Sequence, residues 1–136
     1  MVPRVLSRCS RRESGVSRSR QKGTDFETLI ARGLAKALDD DRIERRARTG
    51  AKDRGDISGV RLHGQRVVLE CKNEATGKVL KLPEWVKEAQ EEAGNDDALV
   101  GVVVSKRSGT TDPLSQWVHC TVGDLVAILT GQRGND

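Results

Sequence analysis

Aromatic side chains are almost missing from this chain, which has two Trp, one Phe and no Tyr. Binding of single strands without sequence preference rests on bases stacked against aromatic rings, so recognition of that kind is disfavoured. Cysteine is scarce too. Cys9, Cys71 and Cys120 are an odd number at unrelated spacings, which suits neither a disulfide framework nor a zinc ribbon, and free thiols are expected. His63 and His119 form no pair at ligand spacing, which argues against a structural zinc site. No apolar run reaches the roughly 18–20 residues of a membrane span, and the first residues lack the apolar stretch of a signal peptide. A soluble, cytoplasmic chain without membrane contact is the expectation.

What is present is charge. Of 136 residues 32% are charged and 35% apolar, so the core must be small and much of the surface ionic. A chain of this length is about one domain, since single domains run to roughly 100–150 residues. The net charge of +4 hides an asymmetry: residues 1–22 carry seven Arg and Lys against one acid, Glu13, while the rest carry seventeen against nineteen. Residues 1–21 are also rich in Ser and lack periodicity, so they read as a basic, disordered tail able to neutralise phosphates without reading sequence. Residues 22–131 read as the folded domain and 132–136 as a frayed end.

Along the domain, Phe26, Leu29, Ile30, Leu34, Ala37 and Leu38 fall at helical spacing, and Thr24 with Glu27 forms a capping box, so a helix is predicted from Thr24 to Asp39. Short strands are predicted within Arg42–Arg48 and from Asp56 to Val60. A third, Gln65–Lys72, follows a hairpin turn at His63-Gly64, which makes the second and third antiparallel. Pro83 opens a helix over 83–93 with Trp85, Val86, Ala89 and Ala93 on one face and Gly94 as its stop. Leu99–Val104 is a continuous apolar run, as in a strand covered on both faces. Trp117–Thr121 is a further strand, and Thr121 with Asp124 caps a last helix that ends at Gly131. The order is α-β-β-β-α-β-β-α, an α/β (α+β) chain with a central mixed sheet flanked by helices. Both tryptophans are expected in the core.

One cluster of residues carries chemistry. Glu70 and Lys72 lie two apart in a strand, so both side chains leave the same face, while Cys71 points away. The hairpin brings Asp56 near Glu70, subject to register. A strict two-residue turn pairs Leu62 with Gln65 and Asp56 with Cys71, which leaves Asp56 on the wrong face. A three-residue turn or a bulge between residues 60 and 67, pairing Asp56 with Lys72, is therefore predicted. Two converging carboxylates suit a hard divalent cation such as Mg²⁺, or Mn²⁺ in its place, with the Cys71 carbonyl as a third ligand. Such a cation acidifies water and neutralises a phosphodiester under in-line attack, and Lys72 can stabilise the developing oxyanion. Glu27, at the margin of the first helix's apolar face, can reach the same metal. Each piece alone has a plainer explanation: an E-x-K triplet is commonly a surface ion pair, Gly-Asp a turn, Glu27 part of a cap. Their order shifts the balance. Arg45, Arg46, Arg48, Lys52 and Arg54 come just before Asp56 and place phosphate-binding groups beside it in sequence.

That order resembles the PD-(D/E)xK nuclease superfamily, and within it the archaeal-type Holliday junction resolvases and related small phage nucleases. The residues that carry the resemblance are Lys22-Gly23-Thr24-Asp25-Phe26-Glu27, Gly55-Asp56-Ile57 and Val68-Leu69-Glu70-Cys71-Lys72-Asn73, across residues 22–104. Where the family usually has proline before the aspartate, this chain has Gly55, which leaves the backbone freer. The resemblance implies a restriction-endonuclease-like core and a metal-dependent endonuclease that hydrolyses phosphodiester bonds at branched DNA. In this picture Glu27, Asp56 and Glu70 serve the metal, Lys72 assists catalysis and Lys22 touches DNA. It also implies a homodimer working on a four-way junction and suits a phage gene, hence a host cytoplasm. A nuclease of the same fold acting on ends, flaps or a restriction site is the near alternative. A non-catalytic DNA-binding module is the distant one, and it requires Glu27, Asp56, Glu70 and Lys72 to be dispersed in space.

Overall fold

The computed structural model describes residues 2–47, 54–74 and 81–133, with side chains from residue 18 onward. Helix α1 spans Val2–Ala37 and is followed by strands β1 (Glu44–Arg45), β2 (Ile57–Ser58), β3 (Arg61–Leu62) and β4 (Gln65–Lys72). Helix α2 (Leu82–Asn95) crosses over to β5 (Val100–Ser105), and a 3₁₀ turn at Pro113–Ser115 leads to β6 (Trp117–His119) and helix α3 (Val122–Thr130). The sheet runs β1-β2-β4-β5-β6, with β3 paired to β4 beside that path. Among the described residues the parallel pair, β4 with β5, is the pair joined through a helix, as parallel strands require. The fold is therefore mixed, with a mixed sheet and three helices. Among the described residues no helix is long and apolar enough to cross a membrane.

Period-two alternation in β4 sorts its side chains between two cores. Val67, Leu69 and Cys71 face the larger one, where Phe26, Ile30 and Ala31 of α1 and Ala127 of α3 meet Val100, Val102 and Val104 of β5. Val68 faces the other side and packs under Ala93 and Ala98, while Trp85 and Ala89 of α2 cover Val103. All six residues of β5 are buried, as the apolar run predicts. Helix α2 lies unusually close to this strand: a Cβ on Gly101 would stand 2.1 Å from the Ala89 carbonyl oxygen. Glycine at 101 and alanine at 89 and 93 are what let the helix settle there.

Several expectations need correction. Thr24 lies inside α1, so its pairing with Glu27 is not a helix start. Four strands precede α2 instead of three, because the segment from Asp56 onward breaks into β2 and β3. Helix α2 begins at Leu82 and runs through Gly94 to Asn95. The hairpin turn has two residues, with His63 and Gly64 at φ 50° and 81° and Leu62 paired with Gln65. The register slips further upstream, between Arg61↔Arg66 and Ile57↔Leu69, around Gly59 at φ 91°. A bulge is present, but it displaces Asp56 away from Lys72 instead of toward it. Trp117 is half exposed, on the last strand of the sheet, and only Trp85 joins the core. Helix α3 matches its prediction: Thr121 and Asp124 form the reciprocal cap and Gly131 ends it at φ 71°. Cys71 and Cys120 are free thiols; the side chain of Cys9 lies outside the described residues.

Candidate active site

Glu70 and Lys72 leave β4 on the α2 face. The Lys72 ammonium stands 3.3 Å from Glu70 Oε1 and 3.0 Å from Glu88 Oε2, bridging strand and helix. Glu70 is 2% exposed. Burial raises its carboxyl above the ordinary range; a hydrogen bond with Glu92 and the charge of Lys72 pull it back, and the charge of Glu88 raises it further. Half-burial works against the charge on Lys72, but Glu70 and Glu88 outweigh it and the net direction is upward, so the ammonium stays protonated.

Asp56 is buried just before β2. Its amide donates to the Leu69 carbonyl at 2.9 Å, and its Oδ2 accepts the Cys71 amide at 2.7 Å. The aspartate thus clasps β4 at the residue between Glu70 and Lys72. The Cys71 thiol records what surrounds that point. Burial pushes it well up, and the negative charges of Asp56, Glu27, Glu70 and Glu92 push it further in the same direction. Carboxylates from α1, the β2 approach, β4 and α2 thus lie near enough, on either face of the strand, for their charge to act on that thiol. Glu27 is held there by Arg45, whose Nε donates to Glu27 Oε2 at 2.8 Å.

Glu70, Glu88 and Glu92 each offer an oxygen within 4.8 Å of the other two. Glu92 is as buried as Glu70, whereas Glu88 is partly open to solvent. Glu70 Oε2 is buried and meets no hydrogen-bond donor; the Glu92 carboxyl can supply one only by carrying a proton. When all three are ionised, as a bound cation would require, the carboxylates hold three negative charges, Lys72 offsets one, and the remaining two equal the charge of a divalent cation. Oxygen donors only, at this spacing, suit a hard cation, whose opposed ligand oxygens stand about 4 Å apart. The trio can hold a metal ion.

Of the residues singled out in the sequence, Asp56, Glu70 and Lys72 meet at one stretch of β4, while the contact of Glu27 is its ion pair with Arg45. The basic residues scatter. Arg45 is committed to Glu27, and Arg46 stands 3.7 Å from the buried carboxylate of Asp96 while its amide donates to the Asp56 carbonyl. Arg54 is exposed, and Arg48 and Lys52 lie outside the described residues. Lys22 lines a groove with Arg18, Asp25, Asn73 and Lys106, which opens beside the end of β4. Glu88 and Glu92 were not among the sequence candidates. The signal for Glu92 was available, since it falls seven residues after Trp85 and three after Ala89, on the helix face read as apolar. Comparison with family models, with characterised proteins and with solved structures finds no match to this chain.

Proposed function

We propose that this chain is a metal-dependent DNA endonuclease with a PD-(D/E)xK core, cleaving branched DNA in the manner of a junction resolvase. The observation that carries the reading is the clasp of Asp56 on the Cys71 amide, which sets a second carboxylate beside a strand bearing buried Glu70 and its ion-paired lysine, Lys72. A non-catalytic binding module requires these groups to be dispersed. The order of elements supports the same reading, with a helix, an antiparallel hairpin, a crossover helix and a parallel partner strand. So does the groove of Arg18, Lys22 and Lys106, whose positive charge suits a phosphate backbone passing the end of β4.

Glu70 anchors a divalent cation, Mg²⁺ or Mn²⁺; Asp56, the Cys71 carbonyl and Glu27 are the partners that the family pattern would add. When bound, the cation supplies neutralisation of phosphate charge and acidification of water. Lys72 holds its proton and places a positive charge where the leaving or attacking oxygen gains negative charge. Asp56 fixes the strand's end, so Glu70 and Lys72 keep their spacing. Lys22 and Arg54 bind the DNA backbone. A second copy completes a homodimer through the apolar surface of α3, where Val122, Leu125, Val126 and Leu129 are exposed.

The test is cleavage of a labelled four-way junction and of its linear arms, with Mg²⁺ or with EDTA, by the native chain, Glu70→Ala and Lys72→Ala. Metal-dependent junction cutting should fall on the order of 10²–10³-fold in each variant. Cutting of linear DNA alone keeps the chemistry and discards the junction. Binding without cleavage leaves only a DNA-binding module.

A further inference from the structure

We infer that the divalent cation of this protein is held by Glu70 together with Glu88 and Glu92 of helix α2, and that Asp56 positions the strand without being a ligand. The inference rests on the proposed nuclease reading only in its choice of cation. Its ground is the side of β4 on which the close carboxylates collect. The free oxygen of Glu70 is buried without a donor, and the two α2 carboxylates approach it to within 4.8 Å. Asp56 reaches β4 through the backbone of Cys71, spending Oδ2 on that amide. It is not part of the close carboxylate trio.

Helix geometry sets the two α2 carboxylates side by side. Residues 88 and 92 are four apart and stand on neighbouring turns of one face. That face is pressed onto β5 because Ala89 and Ala93 are fully buried against Gly101, which has no room for a side chain. The helix backbone that carries both glutamates is thereby held close to the strand that pairs with β4. Two buried glutamates side by side cost stability unless a proton or a cation neutralises them. Glu88, 40% exposed, leaves the trio open on one side for a cation to enter.

Mn²⁺ titration of the full chain, followed by the loss of the free-ion paramagnetic resonance signal, tests this with native protein, Glu88→Gln, Glu92→Gln and Asp56→Asn. One site per chain is expected, weakened about tenfold or more in both α2 variants and little changed in Asp56→Asn. Loss of binding in Asp56→Asn with native affinity in the α2 variants overturns the inference and leaves a nuclease with the family's ligand set. Absence of Mn²⁺ binding to native protein overturns it outright. Thermal melting guards against a folding artefact. Glu92→Gln should melt at or above the native protein in EDTA and lose the rise in melting temperature that Mn²⁺ gives the native chain. A lower melting point in EDTA with that rise retained counts against the site. Cation binding that depends on Glu88 and Glu92, in a chain that cuts no DNA, upholds the inference and removes the nuclease reading.

Discussion

Gly55 stands where the proposed family pattern has proline, and its backbone is one that proline cannot adopt. Its φ is +92°, a region closed to proline, whose ring holds φ near −65°. A Cβ there would also stand 2.6 Å from a methyl of Val68. The freedom of glycine is thus used to turn the chain so that Asp56 can reach the Cys71 amide. Gly55→Pro, which restores the letter of the motif, should lower stability by about 3 kcal/mol or more. Urea unfolding measures this, and a native-like midpoint would mean that the left-handed backbone at 55 is dispensable. The parity of Glu70 and Lys72 was legible because it depends only on the two-residue repeat of a strand. The partners of Arg45 and Arg46 were not, because Glu27 and Asp96 meet them only after folding. A run of arginine before an aspartate looks the same whether it binds phosphate or closes ion pairs.

Among the elements, α2 decides most about the site. Its carboxylates meet Glu70 because Gly101, Ala89 and Ala93 bring helix and strand together. Gly101→Ala should cost about 1–3 kcal/mol through overpacking against the Ala89 carbonyl. It should also weaken Mn²⁺ binding by lifting Glu92 away from Glu70, although residue 101 touches no ligand. Urea unfolding and the Mn²⁺ titration read the two effects, and native values in both would place the control of α2 elsewhere. The two capping patterns show where local reading succeeds and fails. Thr121 to Asp124 is a true start, since Cys120 and Thr121 are non-helical and the side chains bond reciprocally. Thr24 to Glu27 has the same letters, yet α1 already runs through it. A cap is defined by where the preceding backbone leaves the helix, and the Arg, Gln and Lys before Thr24 favour helix themselves.

At the scale of the whole molecule, one face is left apolar. Helix α3 buries Ala127 and exposes Val122 at 78% and Leu129 at 75%, with Leu125, Val126 and Val118 of β6 also exposed. An exposed apolar surface of this kind is the basis of the dimer proposed above. Leu125→Glu and Leu129→Glu should shift the chain from dimer to monomer in sedimentation velocity, with stability changed by less than about 0.5 kcal/mol because neither side chain is in the core. A native chain that sediments as a monomer would remove the dimer.

By itself the sequence determined the elements whose signals are short-ranged: the apolar strand β5, the cap and stop of α3 and the shared face of Glu70 and Lys72, while before them it offered only the alternative of a longer turn or a bulge. Each follows from side-chain periods and turn chemistry within a few residues. Tertiary structure alone decided the position and sense of that bulge, the pairing of Arg45 and Arg46, the exposure of Trp117, and the arrival of Glu88 and Glu92 at Glu70. Those outcomes depend on how a sheet edge and a helix approach across the fold. That distance of approach is set by the smallest residues at the contact, Gly101, Ala89 and Ala93, and no pattern of charges along the chain encodes it.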